Sequence, residues 1–202
     1  MSAETAAQPD AISTPLPWQR DAWERLSAAA EQDRLPHALL INGETGSGRR
    51  RFATALSRFL LCQAPRHGSN CGECKTCLLS RSQGHSDWRW LEPAGKSRSI
   101  GVEQIREVIR FTMQTSALGK YKILVLHPAD GLTLAAANAF LKCLEEPAPN
   151  TLIILIARAS SGVPATLRSR CQRLPLPAPD ASVSLDWLSL ACGDEAWARR
   201  AL

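Results

Sequence analysis

The feature that most constrains this chain is the passage across residues 37–53, from an apolar run through glycines into a helical pattern. Ala38, Leu39, Leu40 and Ile41 form a run of the length of a buried strand. Gly43, Gly46 and Gly48 follow within six residues. Phe52, Leu56, Phe59 and Leu60 then recur on one face of a helix over about 50–61. Strand, glycine-rich turn and helix together outline a phosphate-binding loop, G-x-x-x-x-G-K-[ST], with Gly43 and Gly48 in register.

The two residues that carry the chemistry of that motif are absent. Arg49 stands in the lysine position and Arg50 in the hydroxyl position. Lysine is a compact charge on a flexible stem, whereas arginine presents a planar fork, so the first exchange is not conservative. The hydroxyl is a magnesium ligand in working sites, and a guanidinium has no acceptor lone pair to replace it. The residues therefore predict a turn, or an anion site, that does not support magnesium-dependent hydrolysis. An ordinary glycine-rich strand-to-helix turn accounts for them equally well.

A second half of such a site belongs just after a buried strand, where an acidic pair holds magnesium and orients water. The continuous apolar run Ile123, Leu124, Val125 and Leu126 is that strand, and His127 and Pro128 occupy the two positions after it. Proline offers neither donor nor base, and magnesium prefers oxygen to imidazole. Asp130 lies further on, where it is expected to cap the next helix. Two separate halves of one site are thus lost in a scaffold that keeps its outline, which favours a retired ATPase over a chance loop.

Cys62, Cys71, Cys74 and Cys77 form the pattern C-x8-C-x2-C-x2-C, four thiols within sixteen residues. Close C-x2-C pairs suit tetrahedral thiolate coordination of zinc, and four cysteine ligands leave no open position for catalysis. Gly68, Ser69, Asn70 and Gly72 are turn formers that let the chain wrap an ion. Buried or disulfide-linked cysteines are the bland alternative, and His67 and His85 are alternative ligands. The chain has seven cysteines, an odd number, and no basic-then-apolar leader, which points to a reducing, cytoplasmic setting. A structural zinc staple over about 62–86 is the reading that follows.

The remaining pattern alternates. Residues 1–14 are polar and aperiodic and are expected as a disordered tail. Trp18, Ala22 and Leu26 mark a helix over about 18–32, and residues 87–91 a strand. Ser99 is expected to cap a helix over about 101–115 whose buried face carries Val102, Ile105, Val108, Ile109 and Met113. A helix over about 132–146, a buried strand over 151–157 and a strand over 172–176 follow. Strands alternating with helices imply an α/β fold, a parallel sheet flanked by helices, over residues 15–179. Residues 180–202 begin a mostly helical unit too short to bury a core of its own. Composition fits a soluble globular chain, with 45% hydrophobic and 21% charged residues, and no run reaches membrane-spanning length. The net charge of +5 permits contact with nucleic acid without demonstrating it.

These stretches together resemble the delta-prime subunits of the bacterial clamp loader, AAA+ members within the DNA polymerase III holoenzyme. The resemblance rests on the first strand after His37, on the four-cysteine insertion, and on the run from Ala136 through Asn138 and Leu144 to Pro147. It rests also on the run Ala165, Thr166, Leu167, Arg168, Ser169, Arg170 and Cys171. Related gamma/tau subunits resemble working ATPases and keep the lysine, threonine and acidic residues that this chain lacks.

The resemblance implies an AAA+ module with a P-loop-type sheet, the start of a helical lid over 180–202, and a collar domain beyond this chain. It implies that Arg170, between Ser169 and Cys171, is an arginine finger for ATP on a neighbouring subunit. The implied partners are gamma/tau and delta subunits, with the sliding clamp and primed DNA reached through the complex and no membrane. No bound ATP and no intrinsic ATPase activity are expected, although the family serves a DNA-directed DNA polymerase. Two other readings stand beside this one. One is an active ATPase using Arg49 in place of lysine. The other is a zinc-dependent DNA-binding module using Arg66, Lys75 and Arg81, whose cysteine loop has little aromatic content for stacking bases.

Overall fold

The computed structural model describes residues 10–194 together with 197, 198 and 200. Its centre is a five-stranded, all-parallel sheet made of β1 (Ala38–Asn42), β2 (Trp88–Leu91), β3 (Lys122–Leu126), β4 (Thr151–Ala157) and β5 (Gln172–Pro175). The order across the sheet is β2-β3-β4-β1-β5. The central strands are apolar on both sides because helices cover both faces, as parallel crossovers require.

Alternation along β1 assigns its side chains. Leu39 and Ile41 join the layer under α1 (Arg20–Glu31) and α2 (Arg49–Leu61), whereas Ala38 and Leu40 join the opposite layer. On the first face Trp23 of α1 meets Phe52 and Phe59 of α2 edge-on, with ring centroids 5.7 Å apart in each pair. On the second face α4 (Val102–Thr112) and α5 (Leu134–Glu145) bury Ile105, Val108, Phe111, Phe140 and Leu144 against β3 and β4. Below the edge strand, Asp87 accepts the backbone N–H groups of Ala117 and Leu118 at 2.8 Å each and lies 3.8 Å from buried Lys122.

Several local expectations are corrected. Gly101, not Ser99, is the N-cap of α4, and Gln104 Oε1 accepts its backbone N–H. Ser99 is instead turned back onto Ser97 within the preceding loop. Met113 is 53% exposed, because α4 ends at Thr112 and Phe111 takes the buried position. Thr133 caps α5 by accepting from Ala136 N, and Asp130 sits one turn earlier in a 3-10 turn, where it accepts from Arg158 N. The stretch read as turns around the cysteines contains a short helix, α3 (Lys75–Arg81).

Residues 1–9 of the expected tail lie outside the described residues, but residues 10–14 are tied down. Arg58 of α2 donates to Asp10 O, Ala11 O and Ser13 Oγ, Asn70 bonds Ala11 O and Ser13 N, and Arg51 donates to Thr14 O. Short polar residues are ordered here because their backbone satisfies a guanidinium that α2 buries.

After β5 the chain continues into α7 (Ala181–Cys192), which ends at Gly193 with φ 68°. Its Trp187 meets Trp18 edge-on at 5.9 Å and lies under the Arg51 guanidinium. No helix among the described residues is long and apolar enough to cross a membrane.

Candidate nucleotide and metal sites

The glycine loop between β1 and α2 is held by the segment that precedes α1. Ser47 O accepts from Trp18 Nε1 at 3.1 Å and from Gln19 Nε2 at 2.7 Å, and Gln19 Oε1 takes Leu16 N–H at 2.8 Å. Gly48 caps α2 with φ 81°, and a Cβ there would collide with the Leu16 side chain and lie 2.8 Å from Gln19 Nε2. A Cβ at Gly43 would strike the carbonyl oxygen of Leu176. Two of the motif's glycines are therefore demanded by packing, whatever the loop does with phosphate.

Arg49 does not reach into the loop. Its Nη1 donates to Ala157 O at 2.5 Å, at the end of β4, and burial pulls its pKa below the usual value against the opposing charge of Asp130. Arg50 and His127, the two positions from which magnesium ligands are missing, meet through Glu92. Both contact Glu92 Oε1, Arg50 in an ion pair and His127 Nδ1 at 2.9 Å, while Arg50 Nη1 lies 3.1 Å from His127 Nδ1. A single Nδ1 donates to Glu92 or accepts from Arg50, not both. Arg50 also covers the Trp90 ring at 5.2 Å. Burial raises the Glu92 pKa, but the His127 hydrogen bond and the Arg50 charge outweigh it and hold the carboxyl below its usual range. A fixed guanidinium thus partners this carboxylate, in a region where a working site would gather oxygens round a metal.

Arg170 stands at the other end of the sheet. α6 (Ala165–Arg168) brings the chain back from the exit of β4, and β5 starts two residues after Arg170, with Gln172 opposite Leu39 near the start of β1. The glycine loop follows the far end of β1, a strand of five residues or about 16 Å at ~3.3 Å per residue. Arg170 donates to Glu145 Oε1 through Nε at 2.9 Å and Nη2 at 2.5 Å, and to Thr166 O at 2.8 Å. The pair is solvent-facing, with 35% of the Arg170 side chain exposed.

The four cysteines converge as their spacing predicted. All four Sγ atoms lie within 4.8 Å of one another, and the pairs Cys62–Cys74 and Cys71–Cys77 are each 3.9 Å apart. Four thiolates about 2.3 Å from a central zinc would be separated by about 3.8 Å, so the set fits a tetrahedral ion. Cys62 ends α2, Cys74 is the N-cap of α3, and Cys77 lies in its first turn. Backbone N–H groups of Cys71 and Cys74 point at Cys62 and Cys71 Sγ, and Asn70 Nδ2 points at Cys77 Sγ. Such donors stabilise thiolate.

Burial pushes the Cys62 thiol up to about 12 and raises Cys77. At Cys74 burial acts the same way, but the Thr76 hydroxyl and backbone donors prevail and bring it down to about 6. A divalent ion at the centre would deprotonate all four. Among the described residues His67 and His85 are not part of the cluster, and His85 Nδ1 instead accepts from Asp87 N. The bland reading of disulfide linkage is not met, since all seven cysteines are free.

Sequence reasoning missed Gln19, Arg58 and Glu92, and took Asn70 as a turn former without its bonds to Ala11 O and Cys77 Sγ. Arg58 carried a signal, as a lone cation within the apolar stretch from Leu56 to Leu61. The other three are polar residues whose roles depend on contacts distant in sequence.

The family described as "DNA polymerase III, delta subunit" matches residues 18–180. The DNA polymerase III subunit delta' of Pseudomonas aeruginosa is 40% identical over 179 residues, covering 89% of this chain and 54% of that protein. The chain belongs to the DNA polymerase III delta-prime subunit family. The delta-prime subunit of Escherichia coli is likewise 40% identical, over 86% of this chain and 52% of its own length. This chain therefore spans about half the length of the delta-prime relatives it matches.

Among solved structures, the DNA polymerase III gamma subunit-related protein of Thermotoga maritima is similar with a TM-score of 0.64 and 27% identity. It covers 83% of this chain and 49% of its own. The RuvB Holliday junction branch migration motor of the same organism shares the fold, with a TM-score of 0.54 at 15% identity over 90% of this chain and 53% of its own. The delta-prime chain thus has the AAA+ sheet and flanking helices, with a four-cysteine insertion beside them.

Proposed function

We propose that this delta-prime chain is the non-hydrolysing module of a clamp-loader subunit. It helps load the sliding clamp onto primed DNA beside gamma/tau and delta subunits, and lends Arg170 to ATP held by a neighbour. The single observation that carries the reading is the placement of Arg170 beyond the start of β1, with the glycine loop at the strand's other end. An arginine so placed does not serve its own chain's loop. A guanidinium that stabilises charge on a transferring phosphoryl group belongs on a surface that another subunit approaches.

The contacts around the loop support the non-hydrolysing half. Trp18 and Gln19 hold Ser47, Arg49 is turned onto Ala157, and Arg50 and His127 are engaged with Glu92. No ATP is expected to bind. Cys62, Cys71, Cys74 and Cys77 would hold one structural zinc, which supplies folding free energy and no reaction chemistry.

The test rebuilds complexes from full-length subunits, with the parent protein and with Arg170→Ala. DNA-stimulated ATP hydrolysis and clamp loading should both fall while subunit assembly, read by size-exclusion chromatography, is unchanged. An in-trans finger is worth about 10³–10⁵ in rate at its own site, and intact sites elsewhere in the ring make the total loss smaller. Normal assembly with unchanged hydrolysis and loading would reduce Arg170 to a surface arginine paired with Glu145.

A further inference from the structure

Behind the four cysteines lie two buried side chains, Asn70 and Arg58, and both are fixed by residues 10–13. The orientation of the Asn70 amide has one solution. The Ser13 N–H needs an acceptor, and Asn70 Oδ1 takes it at 2.8 Å. Nδ2 then faces Ala11 O at 3.0 Å and Cys77 Sγ at 3.4 Å, with one hydrogen for each. The sulfur is thereby required to accept, which a thiolate does far better than a thiol. Cys77 is also the most deeply buried of the four ligands. Gly72 lets the two stretches of chain approach, since its φ is 81° and a Cβ there would lie 3.1 Å from Ala11 O.

The same segment aims Arg58. Asp10 O, Ala11 O and Ser13 Oγ orient the guanidinium without cancelling its charge, because all three acceptors are neutral. A cation only 1% exposed needs a counter-charge to offset its desolvation. A divalent ion held by four thiolates needs one too, since it sets two positive charges against four negative. Burial pulls the Arg58 pKa below its usual value, and Cys77 is the leading charge that opposes this, ahead of Asp10, while Arg81 acts with burial. Arg66 is instead paired with Glu73 at the surface, and Lys75 is exposed.

We propose that Arg58 and Asn70, held by residues 10–13, support the metal–thiolate centre from behind its ligands. Arg58 supplies the counter-charge and Asn70 a hydrogen bond to Cys77. They are positioning residues, and docking of residues 10–13 and metal affinity are linked through them. This rests on the reading of Cys62, Cys71, Cys74 and Cys77 as a zinc site, and names the residues that set its affinity.

The experiment measures the zinc affinity of the full chain by competition with a chromogenic chelator, and records the spectrum of the cobalt-substituted protein. Arg58→Met keeps the volume and removes the charge, whereas Arg58→Lys keeps the charge. Asn70→Asp keeps the shape, removes the donors and adds a negative charge. Leu144→Ala, a core truncation on the opposite face of the sheet, is the control for lost stability. Zinc affinity should fall about 10–100-fold in Arg58→Met and Asn70→Asp. It should recover most of that loss in Arg58→Lys and be unchanged in Leu144→Ala, with cobalt held by four thiolates throughout. The proposal is overturned if Arg58→Met and Asn70→Asp bind zinc as the parent does, or if Arg58→Lys loses as much as Arg58→Met. It is also overturned if Leu144→Ala weakens zinc equally, which would make the effect one of general stability. A parent chain that binds no zinc would overturn the zinc reading itself, and this proposal with it.

Discussion

Arg58 and Glu92 show how single charged side chains set the character of this molecule. Arg58 is buried among apolar neighbours, and its hydrogen bonds hold residues 10–13 against α2. Arg58→Ala would take the donor from Asp10 O, leave Ala11 O with Asn70 Nδ2 alone, and open a void. It is expected to cost about 2–4 kcal/mol, read by urea denaturation. Arg58→Met, which refills the volume, should cost less, and equal losses would show that the hydrogen bonds rather than packing matter there.

Glu92 gives a pH dependence with a definite sign. Its carboxyl is held below the ordinary value of 4.5, so its contribution to stability is present above that value and lost as pH falls through the depressed one. Glu92→Gln should therefore lower stability at neutral pH by about 0.5 kcal/mol, a small figure because the group is partly exposed. The gap to the parent should close in acid, and a gap that widens there contradicts the assigned direction. That Arg49 and Arg50 stand at the motif's lysine and hydroxyl positions was legible in the sequence. Their contacts were not, because Ala157, Glu92 and His127 are brought to them only by the sheet.

At the scale of elements, strands were more legible than the segments between them. β1, β3 and β4 read directly as apolar runs, since a parallel strand buried on both faces has no polar residue to confuse its period. Helix starts were less legible. Ser99 and Asp130 are good capping types, yet Gly101 and Thr133 hold those positions, because a cap is chosen by where the chain enters the helix. The convergence of the four cysteines was legible from their spacing, but not α3, whose seven residues are too few to show a period.

The insertion and the tied segment 10–14 form one unit, since Asn70 bonds Ala11 O and Cys77 Sγ together. Protein purified without added zinc is expected to carry about one zinc per chain by elemental analysis. Cys74→Ser should lower that content and the melting temperature together. The same variant should also speed amide exchange at Ala11 to Ser13, and full zinc loading in Cys74→Ser would remove Cys74 from the ligand set.

At the scale of the whole molecule, the sheet sets Arg170 and the glycine loop apart by about the length of a strand. At the loop end Trp18 and Gln19 hold Ser47, and Arg50 and His127 meet at Glu92. The purified chain is expected to show no magnesium-dependent ATP hydrolysis in a phosphate-release assay. Arg49→Lys combined with Arg50→Thr is expected not to create it, because His127 and Pro128 still offer magnesium no carboxylate. Turnover appearing in that double variant would show that the two arginines alone silence the site.

The opposite placement of Arg170 has a consequence for symmetry. In a ring of identical working subunits every junction is equivalent, and no junction is first. A chain that donates a guanidinium at one pole and accepts no nucleotide at the other breaks that equivalence. On the proposed reading, the arc of active junctions has a beginning, where Arg170 serves the first nucleotide, and an end, where this chain's closed loop receives nothing. Direction around the assembly is then written into one subunit's sheet, without any subunit needing to sense the others.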